Sequence, residues 1–328
     1  MQRDTGMMEV NKIYHSDWMQ NDLPDKSVQL IIADPPYFEV KGDFDFVWKS
    51  FDDYLKDVEK WAIECKRLLA ENGTIYWFGG SKKIAYTQVV FDKYFGLVNN
   101  LVWEKAESDG LFGSTGSEQL RSYPNSTERL LMYSNEGFET NLNEKYDYQI
   151  GLNRVSVMSP IISYFKGEQQ RKGISIKEIN EATNTAMGSI WFTHPSQWQL
   201  ATKDWYLRLR EIFGEGYFVR EYEDLRREYE DLRRPFKNIM KSTEILKVRF
   251  KPSEYDHPTV KPESLAKLLI LTSSRPNDLV LVPFAGSGTE CAMSAKEGRR
   301  FIGFDVNPEY VAMATKRCNY ILSSPTLF

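Results

Sequence analysis

Residues 280–307 read VLVPFAGSGTECAMSAKEGRRFIGFDVN, and this stretch decides the fold. Asp278–Pro283 is an apolar run of strand length, and Gly286–Gly288 forms a tight loop behind it. Thr289–Glu297 has helical spacing. Arg300–Asp305 is a second apolar run that ends on an acid, 19 positions after Gly286. Strand, glycine turn, helix, strand and acid in this order make a nucleotide-type unit. The glycines let the backbone approach a ligand, and the acid at the second strand tip can accept from ribose hydroxyls.

Two common ligands do not fit the loop. A dinucleotide fingerprint needs a third glycine where Cys291 stands, and a phosphate cradle needs a Lys-Ser/Thr pair after Gly288. S-adenosylmethionine, with ribose hydroxyls and no phosphate, is the remaining common nucleoside cofactor.

Working outward, helix and strand alternate. Val28–Ala33 reads as a buried strand that stops at Asp34-Pro35-Pro36-Tyr37, because neither proline can continue a ladder. Phe51–Leu69 carries apolar residues at a helical period and ends at Asn72-Gly73. Thr74–Phe78, Leu97–Trp103 and Glu128–Tyr133 read as strands, and Ser81–Phe95 as a helix. Pro262–Thr272 and Pro308–Asn319 are the remaining helices of this pattern. The expectation is an α/β fold, a Rossmann-like parallel sheet with helices on both faces. Residues 1–7 are expected to fray. Residues 106–118, rich in Gly and Ser, read as a long loop of the lid or binding kind.

The chain has 328 residues, 41% hydrophobic and 27% charged, which excludes disorder and fibrous repeats. Runs such as Leu279–Ala285 are too short to span a bilayer. Three unpaired cysteines (Cys65, Cys291, Cys318) and three histidines point to a reducing cytoplasm and to no metal site. The net charge of −4 speaks faintly against nucleic acid. Divided, it does not. Residues 1–150 carry 16 basic and 25 acidic side chains, residues 151–252 carry 18 and 13, and residues 253–328 carry 8 and 8. A basic middle between acidic and neutral flanks suggests three parts: 1–138, 139–252 and 253–328.

The DPPY tetrad ends a strand, where open α/β sheets place ligands. An exocyclic amine on a base is a poor nucleophile, since its lone pair is delocalised into the ring. Asp34 and the Pro35 carbonyl can accept its two N–H hydrogens and free that lone pair. The prolines hold the acceptors in place, and Tyr37 can stack on a base turned out of a duplex.

The tetrad, the FAGSGT loop and the hexapeptide HPTVKP at 257–262 resemble the β group of amino-methylating DNA methyltransferases, in the permuted order that puts the catalytic tetrad first, a recognition segment in the middle and the cofactor loop last. The resemblance covers about 9–138 and 253–320. It implies catalytic roles for Asp34, Pro35, Pro36 and Tyr37. It implies cofactor contacts from Phe284, Gly286, Ser287, Gly288 and Thr289, with Asp305 on the ribose and Asn307 beside it. Thr259 and Lys261 would hold the methionine carboxylate, and Asp17 the adenine end. Trp103 and Lys105 match a W-x-K pattern without a firm role, and a core tryptophan is the plainer reading. An Asp-led tetrad implies adenine N6, with cytosine N4 as the alternative. Carbon-5 methylation needs a cysteine after proline, and none is present. An inactive DNA-binding regulator on the same fold is a second alternative.

The middle would be the target-recognition insert. A helix Ile176–Ala182 capped by Ser175, a second at Ala186–Trp191 and a third at Lys203–Ile212 capped by Thr202 resemble a helix-turn-helix. A purely structural three-helix insert fits the same pattern. Arg171, Lys172 and Lys177 are candidates for phosphates, and Ser189, Gln197 and Gln199 for base edges. His194 reads as a turn residue. The repeat REYEDLR at 220–226 and 227–233 predicts a charged helix with Glu223–Arg227 and Glu230–Arg234 pairs. The resulting expectation is a cytoplasmic, bacterial or phage DNA adenine-N6 methyltransferase that flips its base. Its cofactor is S-adenosylmethionine and its partner double-stranded DNA, with a second copy of the chain and a cognate restriction endonuclease as further candidates.

Overall fold

A computed structural model describes residues 8–38, 47–105, 126–135, 146–192, 198–239, 241, 243–248 and 260–323, with backbone alone for 146–157. The chain divides into two compact units, 1–134 with 235–328, and 135–234. The expected boundary at 252 moves to 234, because residues 245–247 return to pair with the sheet of the first unit.

The first unit holds an eight-stranded sheet. Its strands are β1 (Lys12–His15), β2 (Val28–Ala33), β3 (Leu69–Gly79), β4 (Gly96–Glu104), β5 (Thr127–Ser134), β6 (Ile245–Lys247), β7 (Leu279–Val282) and β8 (Arg300–Asp305). The order is β1-β8-β7-β2-β3-β5-β4-β6. The parallel expectation holds from β1 to β3. It fails at β5, which runs antiparallel to both β3 and β4. β4 and β5 are consecutive strands and neighbours, and β5 slots between β3 and β4.

Side chains alternate across the sheet. Leu30, Ile32, Tyr76, Phe78, Val280 and Val282 face one core, shared with α8 (Glu263–Ser273) and α9 (Thr289–Lys296). Ile31, Ala33, Ile75, Trp77, Leu279 and Leu281 face the other, shared with α1 (Phe51–Leu68) and α2 (Ile84–Phe91). Helices therefore cover both faces, as the unbroken apolar strands require. Helix α2 is shorter than the expected Ser81–Phe95. Helix α10 (Pro308–Ser323) runs longer than expected and packs on α9.

The second unit is helical. Helix α3 (Tyr146–Lys172) was not legible in the sequence. Helices α4 (Ile176–Thr183), α5 (Gly188–Phe192), α6 (Lys203–Phe213) and α7 (Tyr222–Leu232) follow. Ser175 and Glu178 close a capping box on α4, and the Thr202 hydroxyl accepts from Trp205 N on α6. Their core is aromatic: Phe165, Trp191, Phe192, Tyr206, Phe213 and Phe218. The repeat helix turns Leu225 into that core, with Tyr222, Tyr229 and Leu232 against it. The expected Glu223–Arg227 pair gives way to Glu223 with Lys203 and Arg227 with Asp224, while Glu230 meets Arg226 and Arg233.

The glycine loop is tightly fitted. Gly288 has φ +73°, and a Cβ there would lie 2.6 Å from Ala314 Cβ and 3.0 Å from its Cα. Gly288→Ala should destabilise the chain by about 2–5 kcal/mol, from left-handed strain and overpacking together. Urea unfolding checks this, and a loss below about 1 kcal/mol would contradict the fit.

Candidate functional site

The carboxyl ends of β1, β8, β7 and β2 lie at one edge of the sheet. Its order reverses at β2, whose neighbours are β7 and β3, so a crevice opens there. A cleft of about 1160 Å³ occupies this edge. Asp17, Asp34 and Asp305 supply acids to its wall, and Trp61 and Phe284 supply aromatic faces. Pro36, Gly286 and Asn307 also line it.

Local structure explains each position. Asp17 caps the 3-10 turn Trp18–Gln20, its Oδ1 accepting from Met19 N at 2.9 Å. Asp305 binds the glycine loop to the β8 tip. Its Oδ2 accepts from Gly286 N and its Oδ1 from Asn307 N, both at 2.8 Å. Both contacts hold the carboxylate at the mouth of the cleft, where a ribose diol would lie. The Asn307 side chain caps α10, accepting from Glu309 N at 2.8 Å.

Three loop residues turn inward. Ser287 and Thr289 are buried, with hydroxyls 3.1 Å apart. Buried Arg317 donates to Thr289 Oγ1 at 2.9 Å and to Ser287 O at 3.3 Å, and pairs with Glu263 at 2.6 Å. Gly288 rests on Ala314. These groups brace the loop, because their polar atoms are taken up inside the chain.

At the tetrad, the Tyr37 hydroxyl donates to Asp34 Oδ1 at 2.7 Å, and Lys261 Nζ donates to Asp34 Oδ2 at 2.5 Å. Lys261 also lies 3.4 Å from Glu128 Oε2, and Lys105 lies 2.5 Å from Glu128 Oε1. The resemblance gave Lys261 to the methionine carboxylate; here its ammonium faces two carboxylates of the chain itself. Burial opposes the Lys261 charge, but Asp34 and Glu128 outweigh it and hold the group above the ordinary lysine range. Burial also raises Glu128, yet Lys261 and Lys105 bring it below the ordinary range. Burial and the charges of Asp34 and Glu128 push Tyr37 well up, so its hydroxyl stays a donor.

Sequence reasoning assigned no role to Glu128, Glu290 or Arg317. Glu128 opens a strand and looks like a solvated end, Glu290 sits in a helix first turn, and Arg317 lies on a polar-looking helix. No local pattern marks any of them. Trp103 is a core residue whose Nε1 donates to Val248 O at 2.9 Å. Thr259, Gln197, His194 and the 106–118 loop lie outside the described residues. Among the DNA candidates, Arg171 is committed: it pairs with Glu168, donates to Gly216 O and stacks on Tyr217. Lys172 also approaches the Tyr217 ring, and Lys177 lies 3.9 Å from Glu181. Ser189 donates to Ala186 O, and Gln199 is exposed. Helix α5 has five residues, one turn of the expected helix-turn-helix.

The sequence profile of the DNA methylase family matches residues 28–316. The chain belongs to that family. The methylase is 27% identical over 316 residues to the DNA adenine methyltransferase YhdJ of Escherichia coli (strain K12), covering 94% of this chain and 83% of that protein. It is 28% identical over 323 residues to the type II methyltransferase M1.MboII of Moraxella bovis, covering 97% and 98%. Its fold is similar to that of the cytosine-N4-specific PvuII DNA methyltransferase, with TM-score 0.53 and 14% identity over 94% and 92% of the two chains. It is also similar to a Thermus thermophilus protein assigned as a DNA modification methylase and solved with S-adenosyl-L-methionine. There the TM-score is 0.51 at 18% identity, over 95% and 96%.

Glu290 in the methylase is buried behind the tetrad, and burial, with the Asp34 charge, pushes its carboxyl up to about 6. The folded chain therefore holds this proton more tightly than the unfolded chain does. Ionisation above about pH 6 costs stability, and the cost disappears as pH falls through 6 toward the ordinary value of 4.5. Glu290→Gln should add up to about 2 kcal/mol at pH 8 and much less at pH 4.5, by urea unfolding at both. A larger gain at low pH would contradict the assignment.

Proposed function

We propose that the methylase transfers a methyl group from S-adenosylmethionine to the exocyclic N6 of an adenine turned out of double-stranded DNA. The observation that carries this reading is Asp34 at the β2 tip, lining the same cleft as Asp17, Phe284, Gly286 and Asp305. The cleft suits the cofactor: its volume is of ligand size, its acids can meet hydroxyl and amine donors, and its aromatic walls can cover an adenine ring. When bound there, S-adenosylmethionine supplies an electrophilic methyl on a sulfonium.

The chain supplies position. Asp34 Oδ2 is held by Lys261, so the carboxylate cannot rotate freely. Asp34 Oδ1 carries the Tyr37 hydroxyl, a donor in the place an amine N–H would take. The incoming amine displaces that hydroxyl, and the ring remains to stack on the base. One amino hydrogen meets Asp34 Oδ1 and the other the Pro35 carbonyl. Asp34 then accepts the proton released when the nitrogen gains its methyl group. A fold shared with a cytosine-N4 enzyme leaves the base to the tetrad and the relatives, and both favour adenine. Relatives named type II methyltransferases make a cognate endonuclease the partner to seek.

The new boundary relocates the basic charge. Residues 135–234 carry 14 basic and 16 acidic side chains, whereas residues 235–252 carry five basic and one acidic. Lys237, Lys241 and Lys247 are exposed, with Phe236, Ile239 and Ile245 exposed among them. Lys247 ends β6, the edge strand parallel to β4, at the same end of the sheet as Asp34. Four strand spacings put it roughly 20 Å across from Asp34, within the width of a duplex. Lysines here also deter edge pairing. DNA backbone contact accordingly falls on this strip in preference to Arg171.

Purified chain, labelled S-adenosylmethionine and mass spectrometry of DNA nucleosides test the reading. N6-methyladenine is expected; N4-methylcytosine alone would overturn the base, and no labelled nucleoside would overturn the activity. Asp34→Asn should abolish transfer with cofactor affinity kept within a few-fold. Tyr37→Phe should keep transfer near the wild-type rate, and Tyr37→Ala should lose it, since stacking needs only the ring. Lys237, Lys241 and Lys247 changed together to Ala should flatten the salt dependence of DNA binding by about one unit of log–log slope per lost contact. An unchanged slope would remove the strip from the interface.

A further inference from the structure

We infer that Glu128 is a positioning residue for methyl transfer: it anchors the Lys261 ammonium that holds Asp34 Oδ2. This rests on the methyltransferase reading above and extends it to a residue outside the tetrad and the cofactor loop.

The antiparallel register explains how the group assembles. Trp103 on β4 lies opposite Glu128 on β5, so their side chains share a face. Lys105 follows Trp103 by two positions and returns to that face. Its ammonium reaches Glu128 Oε1 at 2.5 Å. Lys261, just before α8, brings its ammonium to the other oxygen at 3.4 Å and to Asp34 at 2.5 Å. The result is a row of alternating charge: Lys105, Glu128, Lys261, Asp34. The Phe78 ring lies 4.9 Å from the Lys261 ammonium, Tyr37 caps the far end of the row, and the buried Glu290 carboxyl acts on both Asp34 and Lys261.

Such a row is a poor device for stability alone. Desolvating the charges offsets most of their attraction, and apolar side chains of like volume often serve as well. The row ends on the carboxylate at the open β2 tip. Lys261 is 7% exposed, so its position is set by the two carboxylates and not by water. Glu128 meets it at ion-pair distance without an aligned hydrogen bond, and thus draws it back from Asp34 without capturing it. Without that charge, Lys261 closes on Asp34 and shifts the oxygen that must meet the amine. A displacement of about 1 Å at a reacting group can cost on the order of a hundredfold in rate.

The test is Glu128→Gln, which keeps shape and removes charge. Single-turnover transfer of labelled methyl to DNA should slow by about tenfold to a hundredfold. Cofactor affinity by calorimetry should stay within about threefold, a split that general loss of structure would not give. Glu128→Asp should restore part of the rate. Adding Lys105→Met to Glu128→Gln should slow it no further, since both act through one ammonium. Competitive acetylation at pH 8 should label Lys261 several-fold faster in Glu128→Gln, a readout that needs no turnover. An unchanged rate, an equal loss of rate and cofactor binding, or unchanged Lys261 labelling would each overturn the inference. A wild-type chain that methylates no DNA would overturn the functional reading instead, and Lys261 labelling would still report on the row.

Discussion

The ion pair between Lys261 and Asp34 joins residues 227 positions apart. It requires β2 to sit between β3 and β7, so that the tetrad from the first part of the chain meets the segment that leads into α8. β6 returns to the sheet beside β4 before the chain reaches residue 261. The sheet order can be read as the arrangement that brings these two side chains together at one edge. The ammonium is removed from bulk water, and the carboxylates of Asp34 and Glu128 beside it keep it charged there.

From that constraint the chemistry needs few parts. The catalytic carboxylate is held on one oxygen and offered on the other. The glycine loop is braced from behind by Arg317, Ser287 and Thr289, so its backbone is fixed where a ligand must approach. Asp305 stitches that loop to the next strand at the wall of the cleft. Rate enhancement in such a site comes from orientation and fixed dipoles, and no covalent intermediate on the chain is called for.

Much of this was legible in the sequence. Apolar runs that stop at prolines or an acid marked β2 and β8, and the spacing from Gly286 to Asp305 marked the cofactor half. What escaped notice was non-local. Lys12–His15 and Ile245–Lys247 are too short to carry a period, and are strands only because β8 and β4 offer partners. The antiparallel place of β5 depends on which neighbour it finds, and its own residues do not encode that. Glu128 and Lys105 look like solvated strand ends, and they become a partly buried pair only through the register of β4 against β5. The inward turn of Ser287 and Thr289 depends on Arg317, from a helix near the end of the chain. The charge count pointed to a basic middle, but the division of the chain assigns its positive excess, residues 235–252, to the sheet unit and not to the helical one.

The most direct measurement is a crystal structure of the methylase with target DNA and a non-reactive analogue of S-adenosylmethionine. An adenine is expected out of the duplex, its N6 within hydrogen-bond distance of Asp34 Oδ1 and of the Pro35 carbonyl. The Tyr37 hydroxyl should be displaced from Asp34, with Lys261 still on Oδ2. A base held away from Asp34, or Lys261 released from it to another partner, would contradict the account.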